Sequence, residues 1–84
     1  MDLLFNKLKE FKECSIIIEN GTGFTMHFDG RNISNLYEND GVIEVYLSAG
    51  GCVSLPNNNI VKWLEDEDGI YVRLLNDIDI CFIR

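Results

Sequence analysis

The side chains with chemical potential are few. The 84-residue chain has one histidine, His27, and three cysteines, Cys14, Cys52 and Cys81. His27 lies in Phe24-Thr25-Met26-His27-Phe28-Asp29, where apolar and polar residues alternate. In an extended strand Asp29 falls on the same face two residues on, within reach of an imidazole–carboxylate contact. Nucleophilic catalysis would require one of the three thiols beside that imidazole, and no nucleophile signature surrounds any of them. No catalytic residue is therefore assigned, and the chain reads as non-enzymatic. Zinc needs paired Cys/His spacings, which are missing. The run Glu65-Asp66-Glu67-Asp68-Gly69 suggests a calcium loop, but with Gly69 at the sixth position Leu64 would stand first, where an acidic ligand belongs. Gly50-Gly51 reads as a hairpin turn, and Gly21-Thr22-Gly23 joins two strands, so neither glycine pair opens a phosphate-binding helix. No metal and no cofactor are expected.

The elements that position these residues follow from periodicity. Met1, Leu4, Phe5, Leu8 and Phe11 recur at three- and four-residue steps, which predicts an amphipathic helix over residues 2–13, with Asp2 capping its first turn and Lys12 in its last. The period changes at Cys14. Ser15-Ile16-Ile17-Ile18-Glu19 is a β-branched run, Asn20 to Gly23 is turn chemistry, and the strand from Phe24 to Asp29 completes a hairpin. Residues 30–40 are irregular, with Ile33, Leu36 and Tyr37 as apolar anchors, and read as a short strand or one helical turn. A central hairpin follows: Val42–Leu47, a Gly-containing turn, and Cys52–Leu55, ended by Pro56. Residues 60–64 read as a strand or as a helical turn capped by Asn59. After the acidic turn come strands over Ile70–Leu75 and Ile78–Ile83. Alternation places Phe24, Met26, Phe28, Ile43, Val45, Leu47, Val72, Leu74, Ile80 and Phe82 in the core.

The expected fold is α+β and mainly β. A short N-terminal helix precedes a six- or seven-stranded antiparallel meander that forms a small barrel or a strongly bent sheet, because curling hides strand edges. One domain, residues 1–84, is expected from the length. Helix first and bent antiparallel sheet second is a layout similar to that of Sm-like and SH3-like small barrels. Phe24 to Arg31 resembles the first Sm strand with its Asp-Gly turn. The glycine of the next Sm strand and the second Sm signature have no counterpart here, so the resemblance implies a fold alone.

The net charge is −7. Residues 1–13 balance Lys7, Lys9 and Lys12 against Asp2, Glu10 and Glu13. Residues 14–84 set Arg31, Lys62, Arg73 and Arg84 against the other eleven carboxylates, so the β part carries the whole imbalance. Phosphate backbones are held by Lys and Arg, so direct nucleic-acid binding is disfavoured, while a basic partner surface suits the charge. An odd cysteine count without paired spacing implies free thiols, held mostly in the core, and a reducing compartment. No apolar run reaches the ~20 residues of a membrane helix. A cytoplasmic location is expected.

The function expected from these residues is that of a small acidic interaction protein that occupies a basic, nucleic-acid-binding surface of a protein partner. Small acidic inhibitors from phages and mobile elements resemble the chain in size and charge. The candidate contacts are Glu44 and Tyr46 on the central hairpin and Glu65, Asp66, Glu67 and Asp68 on the acidic turn. Tyr37, Trp63 and Tyr71 are further aromatics with polar tips, and Trp63 is expected in the core. The alternative is a homo-oligomeric β-barrel that binds a small ligand between subunits, since so short a chain has little room for a pocket of its own.

Overall fold

The computed structural model describes residues 3–84. Helix α1 spans Leu3–Leu8, and seven strands follow: β1 Glu13–Glu19, β2 Thr25–Asn39, β3 Val42–Leu47, β4 Cys52–Pro56, β5 Ile60–Glu65, β6 Gly69–Leu74 and β7 Ile78–Ile83. The helix is shorter than its periodicity predicts. Its last turn is tightened by hydrogen bonds from Glu10 N–H to the Lys7 carbonyl and from Phe11 N–H to the Leu8 carbonyl. The Lys12 carbonyl already accepts the Ile33 amide at 2.9 Å. Lys12 is thus tied to β2 just ahead of β1, and a tertiary hydrogen bond overrides helix propensity there. The face itself is as expected, with Leu4, Leu8 and Phe11 buried and Phe5 packed against them. Met1 and the Asp2 cap lie outside the described residues.

All strand pairs are antiparallel, in the order β4-β3-β2-β1-β7-β6-β5. Pairing does not close the sheet into a barrel, because β4 and β5 each keep one free edge. The sheet must nevertheless curl. Laid flat, its outermost strands would stand about 29 Å apart, at ~4.8 Å per step. Only the 3-10 turn Asn57–Asn59 joins them, and a link of that length reaches at most ~14 Å.

The curl runs through β2. Its first part pairs with β1 and its second with β3, with one register shift in each pairing. At Asp29-Gly30, where Gly30 has φ 58°, β2 carries one residue more than β1. At Ser34 it carries one more than β3. Such bulges bend a strand and raise its twist. The stretch 30–40 is therefore neither a connecting loop nor a helical turn but the continuation of β2, with Ile33 and Leu36 against the core. Asp40 and Gly41, at φ 54° and 76°, make the tight turn into β3.

The bent sheet wraps one apolar cluster, in which Leu4, Leu8 and Phe11 meet Cys14, Ile16, Ile43, Val45, Leu55, Ile70, Val72, Ile80 and Phe82. Leu47, Leu74, Phe28 and Trp63 pack against it, half-buried. Two expected core residues are not there: Phe24 is 57% exposed and Met26 41%. They point to the inner side, but they lie on the part of β2 that β3 does not reach, so nothing among the described residues covers them. The thiols divide likewise, Cys14 being buried, Cys81 intermediate and Cys52 exposed. No helix among the described residues is long and apolar enough to cross a membrane.

Candidate functional site

The six expected contact residues fall into two groups on different parts of the sheet. Glu44 and Tyr46 stand on β3, on the outward face. Tyr37 of β2 is directly opposite Glu44, and its ring meets that of Tyr46 edge to face, centroids 5.7 Å apart. The Tyr46 hydroxyl lies 3.5 Å from Glu44 Oε1. The Glu44 carboxylate, and then the Cys52 thiol on β4, raise the Tyr46 hydroxyl above the usual phenol value. Residues 32–61, which include the second part of β2, all of β3 and all of β4, contain Glu38, Asp40 and Glu44 and no Lys or Arg. Along that stretch the face is therefore acidic and aromatic, with no cation within it to neutralise the carboxylates.

The acidic turn between β5 and β6 is built differently. Glu65 accepts an ion pair from Lys7 of α1 at 3.2 Å and another from Arg84 at 2.8 Å. Those cations, Arg84 first, hold its carboxyl below the usual range. Asp66 Oδ1 accepts the backbone N–H groups of Asp68 (2.8 Å) and Gly69 (3.1 Å), and its carbonyl accepts Arg84 Nη1. Arg84 N–H in turn donates to the Asp68 carbonyl. The Arg84 guanidinium also lies over the Phe11 ring, 4.7 Å from its centroid. The Glu65 carboxylate thus ties the helix and the C-terminal end of the chain to the turn, while the Asp66 carboxylate braces the turn from within. The side chains of Glu67 and Asp68 are exposed, and neither forms an ion pair among the described residues.

A shallow groove of about 240 Å³ runs over the outer face of β5, β6, β7 and β1, bordered by Lys62, Leu64, Tyr71, Arg73, Asp79 and Cys81. Arg73 and Asp79 face each other across β6 and β7 in a bidentate pair of 2.7 and 2.8 Å. Burial, then the Asp66 and Asp68 carboxylates, raise the Tyr71 hydroxyl. Tyr71 and Arg73 share a face of β6 by spacing alone, but the Asp79 partner depends on a register that spacing does not reveal.

His27 is exposed on the outer face of β2. It stands opposite Ile17 of β1, which stands opposite Cys81 of β7, so a whole strand separates imidazole from thiol. That is about 10 Å at ordinary strand spacing. Burial, then Glu19 and Asp79, raise the Cys81 thiol, and burial pushes Cys14 up to about 11. A reactive cysteine needs the opposite shift. No cluster of three or more metal-ligating side chains occurs among the described residues. No family model, curated protein or solved structure matches the chain.

Proposed function

We propose that this chain is a non-catalytic interaction protein that meets a basic protein surface through the Tyr37–Glu44–Tyr46 face. The observation that carries the reading is a packed acidic and aromatic patch within a stretch, residues 32–61, that lacks any Lys or Arg. Tyrosines bury large area at little entropic cost, and an uncompensated carboxylate beside them favours arginine or lysine on the partner. A surface of that kind is one that otherwise binds nucleic acid, so the protein would compete with phosphates for the same cations. Glu67 and Asp68 add to the long-range attraction, while Glu65 and Asp66 serve the fold.

The small-ligand alternative draws less support. The groove over β5–β7 is smaller than the ~300 Å³ at which small-molecule sites begin, and Arg73 and Asp79 along it engage each other. The test is a residue-resolved NMR titration of the full chain with an arginine-rich peptide at low and high salt. Shifts should centre on Tyr37, Glu44 and Tyr46 and fade as salt rises, and Tyr37→Ala with Glu44→Gln should weaken binding roughly tenfold or more. Shifts centred on residues 65–68 alone, or on the groove, would overturn the assignment.

A further inference from the structure

We infer that the first part of β2 is a self-association edge, which pairs with the same segment of a second copy of this chain. The argument starts from the backbone. Residues Thr25 to Asn32 pair with β1 on one side, and β3 pairs only with residues from Ile33 onward. The other side of Thr25–Asp29 therefore has no strand among the described residues. The hydrogen bond from Asn20 N–H to the Phe24 carbonyl marks the first bonded pair of the hairpin. Antiparallel ladders alternate, so Phe24, Met26 and Phe28 direct their backbone groups to β1. Thr25, His27 and Asp29 direct theirs outward, and no backbone partner meets them among the described residues.

The remaining edges are guarded by the devices that proteins use against edge-to-edge pairing. On β5 the register slips at Val61, which bulges, and Lys62 follows it. β4 is five residues long and ends in Pro56, which has no N–H to offer. The β2 edge has neither proline nor lysine between Phe24 and Asp29. It also carries Phe24 and Met26, both exposed and both on the side that faces the core elsewhere.

The segment is complementary to itself about Met26. With the two-fold axis at Met26, Met26 stands opposite its symmetry mate and Phe24 opposite Phe28. All three apolar side chains of each copy then share one face. Thr25 and His27 pair through their outward backbone groups. Charge permits the approach. In a chain of net charge −7 the stretch from Gly23 to Arg31 is balanced, with Asp29 against Arg31, and Asp29 meets Gly23 of the second copy. Shifting the axis to His27 would set imidazole against imidazole, and shifting it to Phe28 would run the pairing into the Gly30 bulge. A strand pair of this length buries roughly half of the ~800 Å² per partner of a standard interface, so association is weak and concentration-dependent.

The experiment is static light scattering of the full chain from micromolar to millimolar concentration, with cysteine cross-linking in a Cys52→Ser background. The mass should rise from 9.6 kDa towards twice that value. Met26→Cys should form a disulfide dimer under mild oxidation, because residues at the axis face their own copies, whereas Phe24→Cys should not. Met26→Lys, which opposes two like charges, and Thr25→Pro, which removes an outward N–H, should each weaken self-association roughly tenfold or more with the monomer still folded. A monomer at every concentration overturns the proposal, as does a dimer that survives both variants or cross-links through Phe24→Cys. Binding of the arginine-rich peptide at the Tyr37–Glu44–Tyr46 face should be unaffected by these variants, so the two readings fail separately.

Discussion

Of the two acidic regions of this protein, the one denser in carboxylates is the less available in space. In the turn from Glu65 to Asp68 the carboxylates are concentrated, yet Glu65 holds Lys7 and Arg84, and Asp66 folds back on the amides of Asp68 and Gly69. On β2–β3 the carboxylates are sparse, yet residues 32–61 supply no cation against Glu38, Asp40 and Glu44. Local density of charge is thus a poor guide to available charge. What matters is where the cations go. The fold brings Lys7 and Arg84 from the two ends of the chain to one turn and leaves the central hairpin without any.

The turn should therefore be costly to disturb and the hairpin face cheap. Gly69→Ala is the largest effect expected. Gly69 is buried opposite Ile83, and an added Cβ would drive into the backbone carbonyl of Phe82, which cannot give way as a side chain can. We expect a loss of about 3 kcal/mol or more, a large part of the ~4–12 kcal/mol that a domain of this size has in total. Urea unfolding measures it, and a change below about 1 kcal/mol would show that β6 and β7 can separate locally. Asp66→Ala comes next, at about 1 kcal/mol, because two backbone N–H groups lose their acceptor. Glu44→Gln, the matching change on the other region, should stay within about 0.5 kcal/mol of wild type. Equal costs for Asp66→Ala and Glu44→Gln would erase the distinction between the regions.

Much of the fold was legible, and the failures share a cause. The alternation of Val42–Leu47, Ile70–Leu74 and Ile78–Ile83 placed Ile43, Val45, Val72, Ile80 and Phe82 correctly in the core. The same alternation failed for Phe24 and Met26. Period two identifies a face but not whether another layer reaches it, and here β3 begins pairing only at Ile33. Residues 30–40 left a short strand and a helical turn both open, because the bulges at Asp29-Gly30 and Ser34 each break the period once, and the strand is what forms. The Asp40-Gly41 pair before Val42 was the available hairpin signal. The candidate site was half legible. Glu44 and Tyr46 share a face by spacing alone, but Tyr37 joins them through register across a bulged strand. The engagement of Glu65 joins residues 7, 65 and 84, a long-range geometry that no local pattern encodes.

The smallest effect expected concerns acid. Ion pairing with Arg84 and Lys7 lowers the folded-state pKa of Glu65 relative to the unfolded chain. A depressed carboxyl stabilises the fold above its unfolded value, ~4.3 for glutamate, and that contribution is lost as pH falls through the lower folded value. The carboxyl is solvent-accessible, so the effect is screened and slight. Asp79 follows the same sign through Arg73. Glu65→Gln should lower the urea midpoint of the protein at pH 7 and flatten its fall between pH 5 and pH 3, at roughly one group's worth of protons. Glu67→Gln, at a side chain that forms no ion pair among the described residues, should leave both the midpoint and the slope nearly as they are. If the two variants titrate alike, the ion pairs at Glu65 contribute nothing in solution, and the turn would then be as open to a basic partner as the β3 face.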